Sequence, residues 1–335
     1  MCKGKISIFS LMVVGFFGLT LLGLAVPTLG ADKIIMKIPT VTADTHPENV
    51  GCRKFEELLE KRVRDKVDVQ VYSRGQLGSQ KDFVEGLRMG TLEITMVTIG
   101  FFSSYEPFLN IYELPFLFKN REHAFKLVEG PLNSPIKDRV EKHGVKILSY
   151  WEAGSRHITN NVRPIYTPAD LKGLKIRVPQ AKINIDTFKA FGANAGPLPF
   201  PEVYLALQQG MFDGQENPFS NIHASKLYEV QKYLSLSGHQ FLIHMFMYSK
   251  KLWNNVPKDI QKAVEEIAQE SAVFQRQVVA DDDAKLLAAL KEKGMRVNEV
   301  DREAFRKVAD PLYQQYIKEY GPEAEKIINM IRSAK

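Results

Sequence analysis

Along the chain the apolar positions change period several times, and each change marks an element. Ile34–Pro39 is a short apolar run that predicts a strand. Thr45-His46-Pro47-Glu48 opens a helix, with a cap residue and proline in the first turn, and Phe55, Leu58, Leu59 and Val63 keep helical spacing. Val67, Val69 and Val71 alternate with Asp68 and Gln70, the pattern of a half-buried strand. After the loop Gly75-Gln76-Leu77-Gly78, the residues Phe83, Val84 and Leu87 mark a helix face that Gly90 stops, and Ile94–Ile99 predicts the next strand. This β-α-β-α-β alternation predicts a parallel sheet covered by helices, and Ile147–Tyr150 adds a strand before Trp151.

A second unit begins near Arg156. Pro168–Leu171 reads as a turn or short helix, and Leu174, Ile176 and Val178 share one face of a strand that Pro179 stops. A helix follows to Phe191, ended by Gly192. The cluster Pro197-Leu198-Pro199-Phe200-Pro201 is a stiff connector, and Pro201 suits the first turn of a helix running to Gln209. From Lys258 to Lys293 there is neither Gly nor Pro, with apolar positions three and four apart and Gly294 as the stop. A continuous helix there is roughly 50 Å long, more than one small domain spans. The triple Asp281-Asp282-Asp283 breaks any coiled-coil seam, so packing along two domains is the expectation. Met295–Val300 returns a strand.

The N-terminus has a different pattern. Lys3 and Lys5 precede an uncharged apolar stretch from Ile6 to Val26, and small residues follow at Gly30 and Ala31. That is the order of a cleaved export signal, residues 1–31, with cleavage after Gly30 or Ala31. An uncleaved anchor is the competing reading. Cys2 precedes the apolar stretch, so it is no lipid-anchor cysteine, and Cys52 is the one mature cysteine. An exported chain with one cysteine has no internal disulfide and relies on its core.

Composition adds mainly exclusions. The 335 residues are 44% hydrophobic and 25% charged, ordinary globular proportions suggesting about two domains. A formal charge of +6, falling to +4 when Lys3 and Lys5 leave with the signal, is too small and scattered for nucleic acid. No metal-ligand, phosphate-loop or nucleophile-elbow motif occurs, and the seven histidines are scattered. The S-x-x-K match Ser134–Lys137 lacks its partner motifs. No metal or cofactor is expected, and a binding protein is favoured over an enzyme. The spacing alone leaves Arg177 as a solvated strand charge or as a guanidinium fork for a carboxylate.

Residues 168–218 carry Pro-Ala-Asp-Leu-Lys-Gly-Leu-Lys-Ile-Arg-Val-Pro, Pro-Leu-Pro-Phe-Pro-Glu-Val-Tyr and Asp-Gly-Gln-Glu-Asn-Pro. This segment closely resembles the DctP-type substrate-binding proteins of TRAP (tripartite ATP-independent periplasmic) transporters. The resemblance extends through Gln76-Leu77-Gly78, Gly90-Thr91-Leu92-Glu93, Leu114-Pro115-Phe116 and the long helix after Pro257. It implies an α/β, two-lobed periplasmic binding protein of the Venus-flytrap type, with a long helix bracing both lobes. Residues 32–154 plus about 243–282 would form lobe I, and 155–242 plus about 283–335 lobe II.

The resemblance also implies roles. Arg177 matches the arginine that pairs with a substrate carboxylate, Asn217 an asparagine at the same ligand end, and Arg156 a second cleft arginine. Gln180, Phe200, Glu216 and His239 fall where the family lines its pocket. From lobe I come Thr98, Phe101 and His46. Where sialic-acid binders carry Glu and Arg, this sequence has Thr98 and Phe101, which argues against sialic acid. The expected function is capture of an organic acid in the periplasm and delivery to TRAP membrane subunits. A sensor subunit for a membrane receptor and an exported enzyme are the alternatives. Monocarboxylates and dicarboxylates both remain open. Phe101, Trp151 and Phe200 would suit an apolar ligand body, and Gln180, Glu216 and His239 hydroxyls.

Overall fold

The computed structural model describes residues 33–334, so the proposed export signal lies outside the described residues. The described residues begin with β1 (Ile34–Pro39), α1 (Pro47–Val63), β2 (Val67–Tyr72), α2 (Gln80–Met89) and β3 (Ile94–Thr98). Next come α3 (Arg121–Val128), α4 (Asn133–Val140) and the long strand β4 (Val145–Asn160). The middle holds β5 (Lys175–Val178), α5 (Lys182–Ala190), β6 (Asn194–Pro197), α6 (Val203–Gln208), β7 (Gly214–Asn217) and α7 (Phe219–Ala224). A second long strand, β8 (Tyr233–Ser249), leads to α8 (Lys250–Trp253), α9 (Lys258–Glu292), β9 (Arg296–Glu299), α10 (Arg302–Tyr320) and α11 (Pro322–Ser333).

Local chemistry explains the early boundaries. α1 is capped by His46, whose Nδ1 accepts the Glu48 N–H, and α2 by a reciprocal Ser79–Asp82 capping box. α2 ends on Gly90 at φ 77°, a left-handed position suited to glycine. β1 and β2 pair in parallel from Ile34 opposite Val67 to Pro39 opposite Tyr72. The expected third parallel strand is a correction: β3 pairs antiparallel with β8, Ile94 opposite Tyr248.

β8 is not legible because Phe241–Tyr248 is apolar on both faces apart from His244, with neither face left to solvent to set an alternation. Of β4 only Ile147–Tyr150 is legible, for the same reason. Together they form the antiparallel centre of a seven-stranded sheet ordered β3-β8-β4-β7-β5-β6, with β9 beside β8. Their register shifts at three places, between Ile147 and Ser149, Glu152 and Gly154, and Arg156 and Ile158, where bulges bend the ribbon.

The apolar side chains gather into separate cores along this ribbon. One joins Met36, Ile38, Phe55, Trp151 and Phe246, and a neighbour joins Phe102, Tyr112, Ile147 and Met245. At the other end Ile158, Ile176, Phe188 and Phe305 form a third, and Val203, Leu207, Ile222 and Leu234 a fourth. α9 is 35 residues long, as expected. It buries Ile260, Val264 and Ile267 in the first of these cores and Leu290 in the last, so one rigid rod serves both ends.

The C-terminal segment, expected with the second lobe, touches both ends. Phe305 and Ala309 of α10 join the third core, whereas Leu312, Tyr316 and Ile328 pack with Tyr112. Tyr313 donates to the Pro115 carbonyl at 2.6 Å, and Arg139 pairs with Glu323 at 2.6 Å. The change of partner follows from the length of α10, which at about 1.5 Å per residue carries its second half past the third core.

Candidate functional site

Between the two ends of the ribbon lies a cavity of about 60 Å³. Its lining includes Arg156, Arg177, Asn184, Phe200 and Asn217 on one side, and Thr42, His46, Glu48, Gln80, Thr98 and Phe101 on the other, with His244 from β8.

Arg177 is the centre of the first wall. Leu174, Ile176 and Val178 enter the third core as their alternation predicts, but Arg177 on the opposite face is only 2% exposed. The reading of a solvated strand charge is excluded by that burial. Its Nε donates to the Leu198 carbonyl at 2.9 Å and Nη2 to the same oxygen at 2.5 Å. The proline-rich connector thereby has a role, since Pro197 and Pro199 hold that carbonyl in place. Nη1 has no hydrogen-bond partner and the residue faces the cavity. Burial lowers the Arg177 pKa to about 9, with Glu216 pushing the other way, so the group is a cation at neutral pH.

Arg156, on β4, is already paired. Its Nε and Nη2 engage both Glu216 carboxylate oxygens, and Nη2 also reaches the Glu216 carbonyl at 2.6 Å. β4–β7 pairing sets this up, because Ile158 lies opposite Glu216. His239 Nε2 donates to Glu216 Oε2 at 3.2 Å, while the Ser237 hydroxyl donates to His239 Nδ1 at 2.8 Å. Burial pushes the Glu216 carboxyl up, but Arg156 and His239 outweigh it and the net shift is down. Burial holds the His239 ring below its usual range, against the pull of Glu216. Glu216 and His239 are fully buried behind Arg156, absent from the cavity lining. Glu216 holds the Arg156 guanidinium directly, and His239 braces Glu216 from behind. Asn217 does line the cavity, with its Nδ2 donating to Gln215 Oε1.

The opposite wall is built from loop and helix ends. His46 donates from Nε2 toward Ser220 Oγ at 3.1 Å and Asn221 Oδ1 at 3.2 Å, reaching α7 across the cavity. Burial lowers its pKa to about 4, so the ring is neutral. Thr98 ends β3 and accepts the Phe101 N–H at 3.3 Å, and both line the cavity. Two expectations are corrected. Gln180 is exposed and off the cavity wall, because Pro179 takes the inward place where β5 ends. Trp151 is a core residue, stacked on Phe246 at 4.8 Å with its indole N–H donating to Ser149.

Several lining residues were not anticipated. Glu48 reads as an ordinary acidic residue in a first turn, Asn184 as a helix polar position, and His244 as one histidine in an apolar run. Glu48 is 3% exposed and its Oε2 accepts from Thr42 at 2.8 Å; burial pushes its carboxyl up to about 7. Burial lowers His244 to about 3, leaving it neutral with Nδ1 unpartnered. Asn184 Oδ1 is likewise unpartnered. No signal in a single sequence marks these three. Among the described residues no His, Cys, Asp and Glu group could hold a metal ion, and no helix is long and apolar enough to cross a membrane.

A two-lobed α/β fold around an internal cavity, with a buried cation left half-paired, defines a solute-binding protein. The chain belongs to the bacterial extracellular solute-binding protein family 7, DctP, whose pattern it matches over residues 38–319. It is 37% identical over 265 residues to the 2,3-diketo-L-gulonate-binding periplasmic protein YiaO of Escherichia coli K12, covering 79% of this chain and 81% of that protein. It is 32% identical over 308 residues to the C4-dicarboxylate-binding periplasmic protein DctP of Rhodobacter capsulatus, covering 90% and 92%. It also superposes on a TRAP periplasmic solute-binding protein from Polaromonas sp. JS666 bound to D-erythronate. There the TM-score is 0.86 at 34% identity, covering 90% of this chain and 99% of the other.

Proposed function

We propose that this chain captures a small organic acid by its carboxylate, seated on Arg177 with Asn217 beside it, and delivers it to TRAP membrane subunits. The observation that carries this reading is Arg177 itself, a buried cation that lines the cavity and whose Nη1 has no partner. A buried charge left unpaired is unfavourable by several kcal/mol. A carboxylate supplies the missing acceptor through a charge-assisted bond, stronger than a neutral one. Because both walls touch the ligand, its contacts favour the closed arrangement over the open one.

In this account residues 32–154 and about 243–282 move as lobe I, and 155–242 with about 283–335 as lobe II. The C-terminal helices lean on the first lobe, and β4, β8 and α9 connect the two. The protein works in the periplasm after removal of residues 1–31, and it releases its ligand unchanged.

A melting-temperature screen of dicarboxylates, 2-oxo acids, sugar acids and aromatic acids tests the ligand class, since a cleft binder gains stability from its ligand. A shift with at least one acid class, lost in Arg177→Ala, is the expected result. No shift with any organic acid would contradict the carboxylate reading. Mass spectrometry of exported protein should find a mature N-terminus at Ala31 or Asp32.

A further inference from the structure

We infer that the cavity selects a hydroxylated monocarboxylate, and that Glu48 is the residue that turns away a second carboxylate. This rests on the pairing of a carboxylate with Arg177 proposed above, and it narrows the ligand within that class.

Arg156 and Arg177 are the two cations among the described residues that line the cavity. Arg156 is matched by Glu216 through both carboxylate oxygens, so its charge is already compensated. Arg177 donates its other N–H groups to a neutral carbonyl, so it is the one cation left without a counter-charge. One uncompensated positive charge accommodates one carboxylate.

Among the described residues the facing wall offers no second cation. Thr42, His46, Glu48 and Thr98 stand there, and the His46 Nδ1 and Nε2 positions are both engaged within the protein. Glu113, behind Thr98, adds a further buried acid, with Oε1 accepting the Gly100 N–H and Oε2 unpartnered. A second carboxylate would therefore be buried with no partner charge and with Glu48 on the wall it faces. Burial pushes Glu48 up to about 7, so at pH 8 it is ionised and repels such a group.

What the walls do leave open suits hydroxyls. Asn184 Oδ1 and His244 Nδ1 are buried, line the cavity and have no partner. The Asn184 oxygen can only accept, so a ligand hydroxyl satisfies it and a carboxylate does not. Neutral His244 at Nδ1 meets a hydroxyl equally well, as donor or acceptor.

Two pairs of acids that differ only by oxidation of a terminal alcohol to a carboxylate test this directly: threonate against tartrate, and gluconate against glucarate. Calorimetric titration of the full-length mature protein at pH 8 should show at least tenfold tighter binding of the monoacid in at least one pair. In Glu48→Gln that ratio should narrow by at least tenfold, as the repelling charge is lost. Diacids binding as tightly as their monoacids in the wild-type protein would overturn the inference while leaving the role of Arg177 intact, and this arm needs no variant to fold. An unchanged ratio in a folded Glu48→Gln would remove Glu48 from the account, and no heat from any of the four acids would overturn the hydroxy-acid class. Binding that survives Arg177→Ala would instead overturn the reading beneath.

Discussion

The two walls of the cavity are made differently. The wall carrying Arg156, Arg177 and Asn217 stands on strands β4, β5 and β7, where ladder register fixes each side chain against its neighbour. The facing wall of His46, Glu48 and Thr98 stands on a helix start and a strand end, held by caps and short loops. One wall supplies charge on a rigid base. The other supplies hydrogen-bonding groups and one acid, Glu48, at positions that can vary without disturbing a sheet. Under the proposed function, the difference gives recognition of the carboxylate to the first wall and choice among ligand bodies to the second.

The largest effect that would break this division is at Glu216. Glu216→Gln removes the counter-charge of a buried Arg156, and we expect a loss of about 3–5 kcal/mol in denaturant unfolding. Because the Glu216 carboxyl is held below its ordinary range, its stabilisation is present at neutral pH and lost as pH falls through that lowered pKa. An acid limb of the stability curve that is the same in wild type and Glu216→Gln would count against the pairing.

Next comes Arg177. Arg177→Ala should weaken acid binding by two orders of magnitude or more, about 3 kcal/mol, with an unchanged far-ultraviolet spectrum. Arg177→Lys should recover only part of this, since an ammonium cannot keep both the Leu198 carbonyl and a carboxylate in the same fork geometry.

On the second wall the sign reverses. Glu48 has its pKa raised by burial to about 7, so the folded state is disfavoured as pH rises from the ordinary carboxylate range towards 7. Glu48→Gln should therefore raise the stability of the ligand-free protein at pH 8, by about 2 kcal/mol. A lower melting temperature in that variant would show that the carboxylate is held by something other than Thr42. His46→Ala should cost about 1 kcal/mol in ligand affinity, roughly fivefold, through loss of the hydrogen bond to Ser220 and Asn221. Gln180→Ala should change affinity by less than about twofold, as an exposed side chain off the wall.

The same contrast explains what the sequence disclosed. Arg177, Asn217 and Phe200 sit in a continuous fifty-residue run of strand, proline connector and turn, so their motif is local and readable. Glu48, Asn184 and His244 reach one cavity from α1, α5 and β8, separated by more than a hundred residues at the extremes. Only tertiary packing brings them together. Glu216 and His239 lie off the cavity lining, behind Arg156, and spacing cannot say whether a polar side chain faces a cavity or an arginine on its wall.

Elements follow the same rule. α9 was legible from end to end because one face stays polar along its length. β4 and β8 are buried on both faces over much of their length and left no alternation to read. Losing β8 also removed the partner of β3, which is why a parallel sheet was expected where an antiparallel pair exists.

The central claim is that a ligand carboxylate completes the half-paired Arg177. A crystal structure of the mature protein with the acid that most raises its melting temperature tests this most directly. The account predicts a carboxylate oxygen within hydrogen-bond distance of Arg177 Nη1, with the Leu198 carbonyl still accepting from Nε. A bound acid whose carboxylate lies against the His46 and Glu48 wall, with Nη1 left unpaired, would contradict it.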